Sequence, residues 1–341
     1  MHIPDGYLSP ETCAVALAVA VPAIAVASAK VARQVRGRAV PQLAMLSAFS
    51  FLIMMFNLPV PGGTSAHAVG SVLIAIVMGP AAAVVATAVA LLFQALVFGD
   101  GGVLAYGANV VNMALIMPLA GLAVFRLVAG RSDTGSWRRV VGAAVGGYVG
   151  ITMAGVAVGI ELGIQPALFT DASGNPLYNP YPLAMAVPAM LVAHLVIAGP
   201  AEAIVSGAGY AFLARTGQLE HSAPTAKDSG LLANPGLVSL GVLAGMLLLT
   251  PLGLITQGTA FGEWGSEELA EQLGWIPSGL ERWSTFWSGA ALPDYGFADG
   301  NSAVVAYWVS ALVGSVLVAG FTFGVFWLAN RLRSRSQAPA T

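Results

Sequence analysis

The chain carries four histidines, His2, His67, His194 and His221, and a lone cysteine, Cys13. His2 is the most informative because of its position. A large residue at position two shields an initiator methionine from removal, so Met1 is expected to stay and, once deformylated, to offer a free α-amine. That amine and the His2 amide nitrogen close a five-membered chelate ring on a metal ion. The His2 amide nitrogen and its own Nδ1 close a six-membered ring. The result is a planar clamp of three nitrogens with one place in the plane left open. His67 ends the segment PGGTSAH (61–67) and supplies a second imidazole for that place. A square of four nitrogens suits Ni²⁺ or Cu²⁺. Zn²⁺ prefers a tetrahedron, and Mg²⁺ or Ca²⁺ prefers oxygen ligands. Such ligands lose protons on binding, so affinity is expected to fall at acid pH.

On the residues alone the bland alternatives stay open: a position-two histidine without a role, and a solvated loop histidine. Glycines in the 61–67 loop permit close backbone approach. Ser65 or Asn57 is placed to orient His67 from outside the ligand set, although Ser65 serves equally as a helix cap. His194 and Glu202 lie eight residues apart, on roughly one helix face. Ionisable groups inside a membrane are functional candidates, but a polar pair holding helices together is favoured here over a second metal site. His221 is expected to be solvated, and Asn109 and Asn112 to bond between helices. Cys13 excludes an intrachain disulfide and a multi-cysteine metal site; it is expected to be inert packing. No G-x-x-x-x-G-K-[ST], H-E-x-x-H or G-x-S-x-G segment occurs, so no phosphate loop or hydrolytic motif is in view.

The elements that must position these residues follow from composition. Hydrophobic residues make up 57% of the 341 and charged residues 9%, against about 25% charged in soluble domains. Lipid is therefore the solvent along most of the chain. The net charge of −2 and the lack of a basic patch give no handle for nucleic acid. The start MHIPDGYLSP has no Lys or Arg, unlike a cleaved signal peptide. Nine apolar segments stand out, at about 12–31, 42–58, 66–78, 81–98, 109–128, 140–162, 183–213, 235–256 and 303–329. The second and third are short of the roughly 20 residues a span needs, so they are buried in the bundle or cross only partly. Alternating sides places every Lys and Arg except Arg282 on one side, while Asp100, Asp171, Glu263 and Glu268 collect on the other. The positive-inside rule then puts the N-terminus outside and the C-terminus inside. The expected fold is an all-α polytopic bundle of seven segments (1–215), a cytoplasmic linker (216–234), a two-span hairpin (235–330) around an outer acidic loop (257–302), and a basic tail (331–341). No internal repeat is visible.

The segments MHIPDGYLSP, FNLPVPGGTSAH (56–67), FGDGGVLAYGANVVNMA (98–114) and HLVIAGPAEAIVSG (194–207) resemble the CbiM/NikM family. These are membrane-embedded, substrate-binding components of energy-coupling factor transporters for cobalt and nickel. The resemblance implies a divalent nickel or cobalt ion held by Met1, His2 and His67. It also implies a transmembrane coupling protein and two cytoplasmic ATPases as partners. Small residues of the first helix, Ala14 with Ala18 and Ala25 with Ala29, are candidate contacts for the coupling protein. The C-terminal hairpin resembles the PDGLE domain through IPSGLER (276–282) and LPDYGF (292–297), with Ser278 where that motif has aspartate. The acidic loop is expected to lie over the metal entrance. Against this capture component stand an autonomous permease or channel, an intramembrane metalloenzyme, and a structural membrane protein. A permease needs ionisable residues along a path, and only His194 and Glu202 qualify. An enzyme needs a metal with an open position and a base beside it. For a structural protein the N-terminus would be irrelevant. Nickel and cobalt are not separated by these ligands, although a planar square leans to nickel.

Overall fold

A computed structural model of the chain describes residues 1–37, 39–60, 64–219, 235–256, 259–297, 300 and 302–336. His221, residues 220–234 of the expected linker, residues 61–63 of the glycine loop and the end of the basic tail lie outside the described residues. In lipid every backbone polar group must be satisfied within the protein, which for apolar runs means helix. Seven described helices are long and apolar enough to cross a membrane: Pro10–Gln34, Pro80–Phe98, Tyr106–Ala129, Trp137–Leu168, Leu183–Arg215, Gly236–Ile255 and Ala303–Arg333. The second and third apolar segments are the short ones, as their lengths demand. They form α2 (Ala39–Met54) and α3 (Ser71–Met78). Eight residues of helix rise only about 12 Å, so α3 cannot cross and is enclosed by its neighbours.

Helix α1 (Pro10–Gln34) starts at Ser9, whose hydroxyl accepts from Thr12 N, with Pro10 at the first helical position. Between α2 and α3 runs a two-stranded hairpin, β1 (Leu58–Val60) and β2 (Thr64–Ala66), pairing Leu58 with Ala66. Helix α4 (Pro80–Phe93) follows. Then come α5 (Tyr106–Val110), α6 (Met117–Ala129), α7 (Trp137–Gly163) and the short α8 (Gln165–Leu168). Helices α9 (Leu183–Ala193) and α10 (Gly199–Arg215) complete the first part. Three of these rods carry a wider, π-helical turn at Gln94–Phe98, Val111–Ile116 and His194–Ala198. Helix α7 packs through glycines: a methyl on Gly146 would meet the Gly121 carbonyl of α6 at 2.6 Å, and one on Gly147 the Glu202 carbonyl of α10 at 2.8 Å. Small residues let helix backbones approach where lipid offers no hydrophobic drive.

The C-terminal part consists of α11 (Pro235–Leu249), the short helices α12 (Ser266–Leu273) and α13 (Ser278–Trp283), and the 34-residue α14 (Ala303–Ser336). Helix α14 lies along α2, with Gly314 directly against the Phe51 ring. Near its N-terminal end the Tyr307 hydroxyl donates to the Met55 carbonyl at 2.9 Å. At the other end Asn330 donates to the Val35 carbonyl at 3.1 Å, and Arg333 bonds the Ala32 carbonyl.

Candidate metal site

The first nine residues are a buried arm. Ile3 N donates to Asn109 Oδ1 at 2.8 Å, and Asn109 Nδ2 and Gly102 N both donate to the Ile3 carbonyl, at 3.1 and 2.8 Å. The Asp5 carboxylate accepts from the backbone N–H of Val103, Leu104 and Ala105. Burial raises the Asp5 carboxyl, and those three bonds pull against the rise. Gly102 is required by contact, since a Cβ there would overlap the Asp5 carboxylate. Ser9 N donates to Gln165 Oε1, and the Tyr7 hydroxyl to the Trp264 carbonyl of the C-terminal part. The loop 99–105, with Asn109 of α5, therefore grips the arm just after His2.

This grip stacks the His2 and His67 rings, centroids 4.9 Å apart and 21° from parallel. Nδ1 of His67 lies 3.1 Å from the Ala68 carbonyl. A carbonyl only accepts, so that nitrogen carries the proton. Nδ1 of His2 faces Asp100 Oδ1 at 3.0 Å. Both Nε2 atoms are buried without a hydrogen-bond partner. Burial, then the positive Met1 amine, then His2 push His67 well below its ordinary value, so its ring is neutral. Burial alone would raise the Asp100 carboxyl. The charge and hydrogen bond of His2, with the hydroxyl of Tyr295, outweigh that and hold it well below the usual carboxylate range. Gln94, on the first π-helical turn, donates to both Asp100 and Tyr295.

The turn that follows His67 is held by Glu202. The Glu202 carboxylate on α10 accepts from Val69 N (2.8 Å), Gly70 N (3.0 Å) and the Ser206 hydroxyl (3.1 Å). His194 and Glu202, eight residues apart, lie in different surroundings, and Glu202 ties α10 to the start of α3. His194 Nδ1 contacts the Met190 carbonyl at 2.6 Å, and its Nε2 lies 3.3 Å from Met1 Sδ. The Met1 amine is ion-paired with Glu263. Asn112 does bridge helices, donating to Glu161 on α7 at 2.6 Å, whereas Asn109 serves the arm. Ser65 and Asn57 line the cavity, but among the described residues no hydrogen bond joins either to His67.

The cavity in front of the two imidazoles has a volume of about 320 Å³. One wall is His2, His67 and Asp100. The other comes from the C-terminal part: Thr259, Glu263, Tyr295 and Tyr307. Tyr295 reaches Asp100 with φ at +61°, a left-handed conformation rare for a bulky residue, and the preceding Asp294 is at +51°. Among the described residues no three His, Cys, Asp or Glu side chains converge into a ready metal cage. The nitrogen set read from the sequence differs in kind, because two of its members belong to the backbone. In this structure the amine faces Glu263 and Nδ1 of His2 faces Asp100.

Seven helices long and apolar enough to span and this buried imidazole pair define a multi-pass membrane protein with a candidate metal site. Residues 2–219 match the cobalt uptake substrate-specific transmembrane region, CbiM, and 236–331 match the PDGLE domain. The chain belongs to the CbiM family, with a PDGLE domain following. It is 45% identical to the fused nickel transport protein NikMN of Rhodobacter capsulatus over 339 residues, covering 94% of this chain and 96% of that protein. It is 42% identical to the probable fused nickel transport protein LarMN of Lactiplantibacillus plantarum, covering 93% of this chain and 95% of that one. A crystal structure of a transition metal transporter is similar with a TM-score of 0.60 and 50% identity. It covers 64% of this chain and 94% of that one.

Proposed function

We propose that this chain captures a divalent nickel or cobalt ion from the extracytoplasmic side, as the substrate-binding component of an importer. The Met1 amine, His2 and His67 hold the ion. The observation that carries this reading is the pair of stacked, buried imidazoles whose Nε2 atoms have no partner beside a polar cavity. A neutral His67 offers its lone pair without first losing a proton. To close the three-nitrogen clamp, the ion replaces Glu263 at the amine and Asp100 at Nδ1 of His2. Both carboxylates remain at the rim and offset the incoming double charge. The names of the 45% and 42% identical relatives support nickel as cargo.

The energy comes from partners: a transmembrane coupling protein and two cytoplasmic ATPases of the energy-coupling factor type. The chain has no G-x-x-x-x-G-K-[ST] loop of its own. The first part, 1–215, binds the ion, and the hairpin 235–330 covers the cavity with its outer loop. The N-terminus is outside and the C-terminus inside, on the loop-charge asymmetry.

The test is a Ni²⁺ and Co²⁺ titration of the purified chain beside His2→Ala, His67→Ala and a variant with one residue inserted before His2. The expected result is one ion per chain, with affinity reduced at least a hundredfold in all three variants. Undiminished binding after the insertion removes the amine from the ligand set. Nickel flux through vesicles holding this chain alone favours an autonomous permease instead.

A further inference from the structure

The thioether and imidazole beneath the arm carry a second inference, which rests on the capture reading. His194 stands on the third π-helical turn, His194–Ala198, a type of distortion frequent at functional sites. Its ring is 3% exposed and lies flat on α7, where a methyl on Gly155 would meet its Cγ at 2.5 Å. The bond at Nδ1 fixes the tautomer. The Met190 carbonyl at 2.6 Å can only accept, so the proton is on Nδ1. No carboxylate is bonded to the ring among the described residues, and the ring is neutral in this apolar setting. Nε2 therefore presents a bare lone pair, and what it faces at 3.3 Å is Met1 Sδ, which has no hydrogen to donate. As a hydrogen bond this contact has no proton. As a ligand pair its span fits: donors about 2.0–2.3 Å from a first-row ion, at angles of roughly 90–109°, are about 2.8–3.7 Å apart.

We propose that Met1 Sδ and His194 Nε2, with the Met1 amine, form a second, inner site for the same divalent ion. The amine and thioether of one methionine close a six-membered chelate ring, and the imidazole adds a third donor. The Met1 amine belongs to both sites. The ion passes inward by exchanging the His2 and His67 nitrogens for the thioether and His194 while the amine keeps hold. Thioether and imidazole donors suit nickel and cobalt rather than magnesium or calcium, so the inner site repeats the selection made at the outer one. No redox step is needed: the bonds formed are dative, to the thioether and imidazole lone pairs, and the His2 amide nitrogen, which gives up its proton to water to bind in the outer site, takes one back from water as the ion leaves.

The experiment uses the full chain grown with selenomethionine, so that a bound thioether appears as a heavy scatterer in nickel-edge X-ray absorption. Wild type, His194→Gln, His67→Ala and the His67→Ala/His194→Gln double variant are compared. Wild type is expected to hold one tight ion in a nitrogen shell. His67→Ala is expected to retain an ion bound at least a hundredfold more weakly, with one selenium neighbour, and the double variant is expected to lose it. His194→Gln is expected to keep tight binding within threefold, which also reports an intact fold, while uptake in cells holding the partner proteins falls at least tenfold. A selenium-free shell in His67→Ala, or undiminished uptake by His194→Gln, overturns the inner site. Absence of a tight ion in wild type overturns instead the capture reading on which it rests.

Discussion

An imidazole whose Nδ1 proton is already engaged has one nitrogen left with which to do anything, and its direction is set by the backbone. His67 has that arrangement, and its burial has a consequence for pH. Its folded value lies well below the unfolded 6.5, so below that pH the unfolded chain binds more protons than the folded one. Stability from this group is complete above about 6.5 and is lost as pH falls. The denaturation midpoint of the metal-free protein in detergent should drop between about pH 7 and 5, and His67→Asn should flatten that drop. Asp100, held low, adds a further loss only at more acid pH. At this scale His2 and His67 were legible because histidine chemistry is tied to position and residue type. The partners of Glu202 were not legible because they are the N–H groups of Val69 and Gly70, 133 and 132 residues away. Eight-residue spacing on one helix shows a shared face, not what lies opposite it.

The three π-helical turns each deliver one buried polar side chain: Gln94 to the Asp100–Tyr295 pair, Asn112 to Glu161, and His194 to Met1. An extra residue in a turn re-aims the side chains that follow, which is how straight apolar rods come to present polar groups inward. Apolar run length located the helices, and the shortness of the second and third segments announced α2 and α3. The arm 1–9 and the three wider turns left no periodic signal, because the bonds that fix them come from elements distant in the chain. Glu202→Ala removes the acceptor of two buried N–H groups at the mouth of α3 and should cost about 3 kcal/mol. Because the His67 backbone is released with it, metal affinity should fall as well. Chemical denaturation and a nickel titration of the same preparation check both, and an unchanged affinity would separate Glu202 from the site.

At the scale of the whole molecule, the cavity is built from both ends of the sequence. The Met1 amine meets Glu263, Tyr7 meets Trp264, and Asp100 meets Tyr295. A chain ending at residue 219 loses one wall of the cavity, and cells expressing it with the partner proteins should take up nickel at least tenfold more slowly. Normal uptake would make that wall dispensable. The orientation is checked by replacing Cys13 with alanine and placing single cysteines at Ser173 and Ser132. An impermeant thiol reagent applied to intact cells should label the first and spare the second.

Helix α14 is 34 residues long without a proline, about 51 Å of uninterrupted rod where the hydrocarbon layer is about 30 Å. It is pinned beside the cavity through Tyr307 and Met55, and at the opposite end through Asn330 to Val35 and Arg333 to Ala32. A rod fixed at both ends is a lever. The far end of α1 is thereby joined to the cavity by one element, not only residue by residue through the bundle. The bond between Tyr307 and the end of α2 ties that rod to a point a few residues before the strand that leads to His67.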